Sequence, residues 1–504
     1  MSQAIVQAVP ANTDFSNSQQ CLELVQALPL TRFAVAQEML GVIINGMLDT
    51  PPAPVAAYFA VLEAARAPLA LVQDEMASRY AAKPQPPDAE EETDFSRVLA
   101  LWRAMESSYA RIAEIAANEP TTHNLRPLFL QRCIHYSGKI IAEHFRAHRE
   151  PGRNRWLNLH RHYAAAEKYV VAATLVPEPL NGKDQQQSCI DAYIAVLLLE
   201  IANPYSRNPR ELAWIFRWAQ RFAALATLAP VAADAAPQSY VVDLEQDSGL
   251  RPLATHASSA NLPANLRRLC NENMGQELAR LIEQLQQKVD PVTLGLGEDC
   301  GDPACNRLLL QLYRPWGHAA IARRHRRLPA SGAASVCIGF EQIHFYLSGE
   351  KFTQPENIGN RFSRSDTDVI GTFGQKIDPA RPLHIAAEQV SFNKEKWEII
   401  DQSVGGFRLR RKPAGARIAY GALLGIWPPA AEHSLLCRVN WLMRENTGGL
   451  LIGAYVMSRE LLPIAARRVA LTAQAEKYSR AFMLPAMPDL KEQASLIIPR
   501  GWFQ

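Results

Sequence analysis

Two short stretches carry side chains that together can hold an anionic, hydrogen-bonding ligand. The first is Arg323-Arg324-His325-Arg326-Arg327. Four guanidiniums in five residues repel one another, so the cluster costs stability unless an anion neutralises it. Arginine forks match phosphate oxygens bidentately, and they match the O6/N7 edge of guanine equally well. Leu328-Pro329 ends any helix there, which places the cluster on a loop able to wrap a ligand. The second stretch is Asp401-Gln402-Ser403-Val404-Gly405-Gly406, at the end of a predicted strand. A carboxylate accepts the N1–H and N2–H of a guanine, and a small hydroxyl adds another bond. Paired glycines let a ligand or a turn approach the backbone closely. Arg408, Arg410 and Arg411 follow, interleaved with Phe407 and Leu409, so Arg408 and Arg410 are expected on one face of a strand.

Other groupings carry less. Cys300 and Cys305 have an unusual spacing with no second Cys or His pair close behind, which favours a structural turn over zinc. His144 and His148 lie one helical turn apart with Cys133 and His135 upstream, in an Arg-rich stretch that reads as a basic helix face. His160 and His162 cannot share a helical face. No phosphate-binding Gly-Lys loop, nucleophile elbow or dinucleotide fingerprint is present, and no nucleophile has an evident base. The expectation is a protein with no catalytic residues, no metal and no cofactor.

The elements that must position these residues change character along the chain. Up to about residue 320, Ala, Leu, Gln and Glu recur at helical spacing. Val98, Leu101, Trp102, Met105, Tyr109 and Ile112 make one such stripe after the Pro-rich, acidic stretch Lys83–Asp94. Asn208, Pro209 and Glu211 form a helix start, with Leu212, Ile215, Phe216, Ala219 and Phe222 as its buried face. A further helix is expected over Gly275–Val289 and a last one over Asn306–Arg314, ended by Pro315 and Gly317; similar patterns fall at 33–48, 56–81, 127–149, 156–176 and 186–202. Ala229–Ser239 reads as a linker, Tyr240–Leu244 as a strand and Arg251–Pro263 as loop. From about residue 334 the period becomes two. Val336, Ile338 and Phe340, then Ile343, Phe345 and Leu347, alternate, with a slip near Gly339 or Glu341, and strands are expected at Trp397–Ser403, Gly406–Arg411, Ile418–Ile426, Leu435–Arg444, Leu450–Ser458, Ala466–Leu471, Ala481–Leu484 and Ser495–Ile498. Such spacing suits a closed or nearly closed barrel. Ser348–Leu383 breaks the rhythm and reads as an insertion, and Pro463 as a break before a final β hairpin.

Composition narrows the class. The chain has 504 residues with 53 Lys plus Arg against 50 Asp plus Glu, a net charge of +3, which disfavours a whole-chain polyanion binder. A hydrophobic fraction of 48% excludes wholesale disorder. The longest aliphatic run, Tyr193–Ala202, falls well short of the roughly twenty residues a membrane span needs. The opening residues lack a basic segment followed by an apolar one, so a cytoplasmic location is expected. The eight cysteines are sparse and read mostly as reduced core thiols.

Arg-x-x-x-Arg at Arg323 and Arg327 leading into a barrel, with Asp-x-Ser-x-x-Gly at Asp401, Ser403 and Gly406 on a following strand, resembles the PilZ family. Leu409–Arg417, Gly421-Ala-Leu-Leu, Cys437-Arg-Val-Asn-Trp441 and Leu450-Leu-Ile-Gly453 extend the resemblance, which covers roughly residues 321–460. It implies a six-stranded barrel that binds cyclic di-GMP, a bacterial second messenger. The arginine pair would grip guanine and phosphate, and Asp401 and Ser403 the other side of the ligand. The spacing from Arg327 to Asp401 exceeds that usual in the family, which the insertion accounts for; extra loop length costs little.

The expected fold is therefore α+β and multidomain: an N-terminal all-α helical bundle or irregular solenoid, then a C-terminal PilZ-like antiparallel β-barrel. The expected boundaries are a helical domain at 1–235, a linker strand plus helical connector at 236–320, the barrel at 321–465 with an insertion at 348–383, and a β appendage at 466–504. The expected site is Arg323, Arg324, Arg326, Arg327, Asp401, Ser403, Gly405, Gly406 and Arg408. The expected function is a non-enzymatic cyclic di-GMP receptor that relays the signal to an unidentified protein partner through the helical domain. The competing reading is an interaction scaffold whose barrel binds no nucleotide. Nucleic-acid binding through the arginine cluster fits least, given the near-zero net charge.

Overall fold

A computed structural model describes residues 9–504 except 11, 118–119, 185, 257–262, 302, 319–326, 355–391, 430–433, 459–460, 469–476, 487–492, 500–501 and 503–504. By internal packing the chain divides into two units, Met1–Lys83 with Pro87–Arg324, and Pro84–Pro86 with His325–Gln504.

Among the described residues the first unit begins with eight α-helices: α1 (Ser18–Gln26), α2 (Phe33–Asp49), α3 (Val55–Ala77), α4 (Ala89–Ala117), α5 (Arg126–Arg146), α6 (Arg155–Lys168), α7 (Cys189–Ile201) and α8 (Pro209–Phe222). A short ladder, β1 (Val176–Pro177) with β2 (Gln186–Gln187), lies between α6 and α7 in sequence. Then come β3 (Thr227–Pro230), β4 (Tyr240–Asp243), β5 (Arg251–Pro252) and β6 (Leu266–Cys270), an antiparallel sheet in the order β3-β6-β4-β5. Helices α9 (Glu272–Gln286) and α10 (Pro303–Gly317) close the unit.

Local chemistry explains several of the helix starts. Asn208 caps α8 in a reciprocal capping box with Glu211, as its sequence dictates. The acidic stretch expected to precede α4 is instead its first turn: Glu90, Glu91 and Glu92 sit where the helix dipole favours negative charge. Helix α6 stops at Lys168, short of the expected 176. Val170 turns left-handed, at φ 59°, and its N–H reaches the Glu167 carbonyl while Val171 N–H reaches that of Ala166. That closure is a Schellman motif, with Val where Gly usually stands. Helix α10 runs through Pro315 rather than ending there. The stretch expected as linker and loop contributes β3 and β5.

Two apolar cores meet on α5. Phe129, Cys133, Tyr136 and Ile140 face a core built with α1–α4, while Leu130, Ile134, Ile141 and Phe145 face one built with α6–α10. Its polar residues are therefore buried too, and they need partners. Arg132 donates to both Glu63 oxygens at 2.8 Å and to Glu178 at 2.9 Å. Arg66 Nη2 reaches both Glu178 oxygens at 2.7 Å, and Gln131 adds a bond at 3.1 Å. Burial opposes the Glu178 charge, but His135, Arg66 and Arg132 around it hold its carboxyl at about 2. Helix α3, which supplies Glu63 and Arg66, has the length and composition of a membrane span; in this unit it lays Val61, Leu62, Leu69 and Val72 into the core.

The second unit holds β7 (Leu328–Pro329), β8 (Ala333–Ile338), α11 (Phe340–Ser348), β9 (Glu395–Ser403), β10 (Gly406–Arg411), β11 (Leu423–Trp427), β12 (Leu435–Arg444), β13 (Leu450–Ser458), β14 (Leu462–Ala466), β15 (Ser479–Leu484) and β16 (Ser495–Ile497). Strands β10-β13-β12-β11-β8-β9 pair in that order, and β9 pairs back to β10, closing a six-stranded antiparallel barrel. Val336, Trp397, Leu409, Leu424, Val439 and Ile452 fill it. Pro84–Pro86 count with this unit because Gln85 exchanges two backbone hydrogen bonds of 2.8 Å with Ile418.

The expected strand residues Phe340, Ile343, Phe345 and Leu347 lie instead in helix α11. Gly339, at φ 94°, breaks β8 and starts the helix, a turn that any side chain would resist. Phe340, Ile343 and Leu347 then recur at helical spacing and pack with Phe482 and Leu484 of the sheet β14-β15-β16. Pro463 does not break the chain: it lies within β14, an edge strand, where its missing N–H is tolerated. Of the expected insertion, residues 355–383 lie outside the described residues.

Candidate ligand site on the barrel

Asp401 sits where three strands meet. Strand β9 pairs with β7 on one side, Asp401 opposite Pro329, and with β10 on the other, Asp401 opposite Arg408. Arg327, just ahead of β7, therefore reaches the carboxylate: its Nη1 donates to Oδ1 at 2.9 Å. Arg408 Nη1 stands 3.9 Å from Oδ2. Each carboxylate oxygen faces a different guanidinium. The Arg327 and Asp401 side chains are 31% and 16% exposed, so the group is open to a ligand.

The glycines beside it are set by packing. Ser403 and Gly406 pair across the Val404–Gly405 turn, and Ser403 Oγ donates to the Gly406 carbonyl at 3.5 Å. A Cβ on Gly406 would lie 2.1 Å from the Ala454 carbonyl of β13. The Gly405 carbonyl accepts Val456 N–H at 3.0 Å, fixing the turn to β13. Two residues absent from the sequence-based site complete the surface. The Arg408 guanidinium lies 6.0 Å over the Trp441 ring, within cation–π range. Trp441 in turn covers Gly453, where a Cβ would meet its Nε1 at 2.0 Å. The signal for this was Gly453 itself, since a strand glycine marks close approach. Arg408 Nε is buried without a hydrogen-bond partner among the described residues.

Arg327, Asp401 and Arg408 are thus brought together, with Ser403, Gly405 and Gly406 forming the adjoining turn. Arg323, Arg324 and Arg326 lie outside the described residues. Arg410 shares the outer face with Arg408 but is engaged elsewhere, 2.9 Å from Glu445. Arg411 points inward, buried against Glu395 at 3.1 Å. The arrangement suits a ligand with hydrogen-bond donors for the carboxylate and acceptors or negative charge for the guanidiniums.

The weaker sequence candidates resolve differently. His144 and His148 are not on a basic face. Both are buried, bonded to the carbonyls of Ile140 (2.8 Å) and Arg207 (3.2 Å), and burial pushes each down to about 4. Cys300, in the turn before α10, and Cys305, in its first turn, are not reduced thiols here but joined as a disulfide. Among the described residues no three His, Cys, Asp or Glu side chains group as a metal site.

Comparison with known proteins supplies the family. Residues 240–370 match the family model "Cyclic-di-GMP receptor FimW, middle PilZ domain". The chain contains a PilZ domain. The matched part of the PilZ domain includes Arg323–Arg327 and ends before Asp401. Residues 19–233 match the N-terminal domain of the same receptor, and 464–504 its C-terminal β-barrel domain. The cyclic-di-GMP receptor FimW of Pseudomonas aeruginosa is 25% identical over 390 residues, which is 69% of this chain. The match spans 62% of that protein's own length, so the chain resembles a large part of it rather than all of it.

Proposed function

We propose that this chain is a non-enzymatic receptor for cyclic di-GMP, bound on the barrel and relayed to a protein partner through the helical unit. The observation that carries the reading is Asp401 held between Arg327 and Arg408 on the open face of the barrel. A guanine presenting N1–H and N2–H suits the Asp401 carboxylate, and its O6/N7 edge or a phosphate suits a guanidinium. Before the ligand takes Asp401, Arg327 must leave it, and the released fork is then free for phosphate or base. Ser403 adds a hydroxyl at the turn, and Gly406 keeps β10 close to β13. Arg408, lying on Trp441, stays in place as the fixed cation. The similarity to FimW, itself described as a cyclic-di-GMP receptor, supports the ligand.

One observation favours the scaffold reading. Asp401 has a guanidinium partner within the chain itself. Calorimetric titration of cyclic di-GMP decides between the two. The receptor reading expects saturable binding, weakened at least about tenfold by Arg327→Ala and by Asp401→Ala, as loss of a charge-assisted contact implies. No binding heat and no ligand-induced rise in melting temperature would leave the barrel a scaffold.

A further inference from the structure

The end of α6 places a costly residue on the surface. Val170 occupies the left-handed position of the Schellman closure at φ 59°, where a β-branched residue is an outlier and Gly is favoured. It is also 89% exposed, the most exposed large apolar side chain among the described residues. Tyr169 and Leu175, 41% and 60% exposed, lie in the same segment. The two Schellman hydrogen bonds offset part of the backbone strain, but among the described residues nothing covers the exposed side chain, and strain of this kind concentrates where a contact is made.

The hole that matches this knob lies beside it. Tyr169 lines a cleft of about 240 Å³ between α4, α5 and α6, far more than one water needs. Its walls are mostly apolar, with Ala113, Phe129 and Leu130 among them. The charges on it are of both signs, Glu114 from α4 and Arg126 from α5. The Arg126 guanidinium stacks 4.2 Å from the Tyr169 ring, which fixes the knob's base against the cleft.

A knob and a hole on one patch, with opposite charges on opposite walls, is self-complementary. A two-fold axis would set each knob into the other copy's hole and each Glu114 against the other's Arg126. We propose that the helical unit pairs with a second copy of this chain in this way, Val170 of each seated in the α4–α5–α6 cleft of its partner.

Sedimentation of the full chain over about 1–100 µM tests this. The wild type should dimerise. Val170→Gly should weaken association at least about tenfold, because each copy loses a buried apolar side chain. The same variant, diluted to monomer, should melt no lower than wild type, since Gly relieves the left-handed strain. Glu114→Arg and Arg126→Glu should each weaken the dimer, and the two together should restore it. A wild type that stays monomeric throughout, or a Val170→Gly chain that dimerises as wild type does, overturns the proposal. The first of these results would hold equally if the cleft serves a different protein.

Discussion

At the scale of single residues the barrel site is a carboxylate with a guanidinium on each oxygen. The Arg327–Asp401 pair is partly exposed, and exposed ion pairs contribute only about 0–1 kcal/mol. Its loss should therefore cost the fold little. Asp401→Ala should leave the melting temperature within about 2 °C of wild type while abolishing most of the cyclic di-GMP affinity. Differential scanning calorimetry run beside the titration separates the two, and a large thermal loss would make Asp401 a structural residue instead. Asp401, Ser403, Gly406 and Arg408 were legible in the sequence because their chemistry is local to one hairpin. Trp441 was not, because a Trp in an alternating strand reads as core. Only the fold puts it beside Arg408 and over Gly453.

At the scale of elements, the β9–β10 hairpin depends on how closely β10 approaches β13. Gly406→Ala puts a methyl 2.1 Å from a backbone carbonyl, which no side-chain rotation relieves. The strands must part, at a cost of roughly 1–3 kcal/mol. The expected result is a lower denaturation midpoint together with weaker ligand binding, because Asp401 stands opposite Arg408 in the same ladder. Unchanged stability would mean that β10 and β13 can separate freely. Elements with regular periods were readable: β10, β12 and β13 have the boundaries their alternation gives, and α8 starts where its capping box says. The misreadings fall where a single backbone angle decides. Gly339 turns an alternating run into α11, and Val170 ends α6 early although Val carries no stop signal. In the small sheet β3-β6-β4-β5 only β4 was read as a strand, and β3, β5 and β6 were missed for a different reason, since they pair across sequence and are too short to show a period.

At the scale of the whole molecule, the first unit buries ionisable groups that acid should turn against it. Glu63 with Arg66, then Arg132 and Glu178, come from three distant points of the sequence, so no local pattern announced them. Their removal one at a time strands a buried charge, and Glu178→Gln should cost about 3–5 kcal/mol. The pH dependence has a definite sign. Burial lowers His144 and His148 from 6.5 to about 4, so the unfolded chain takes up their protons first. Their contribution is complete above pH 6.5 and is lost as pH falls to about 4. Glu178, lowered from 4.5 to about 2, contributes fully above pH 4.5 and loses its share as pH falls towards 2. Calorimetric melting temperatures should therefore begin to drop near pH 6.5 and keep dropping down to about 2. His148→Gln, whose amide can still donate to the Arg207 carbonyl, should flatten the upper part of that fall and leave the lower part intact. Glu178→Gln should flatten only the lower part. A wild-type profile level from pH 6.5 to 4 would mean that these histidines are protonated in the folded chain, and hence that water reaches a core the structure closes.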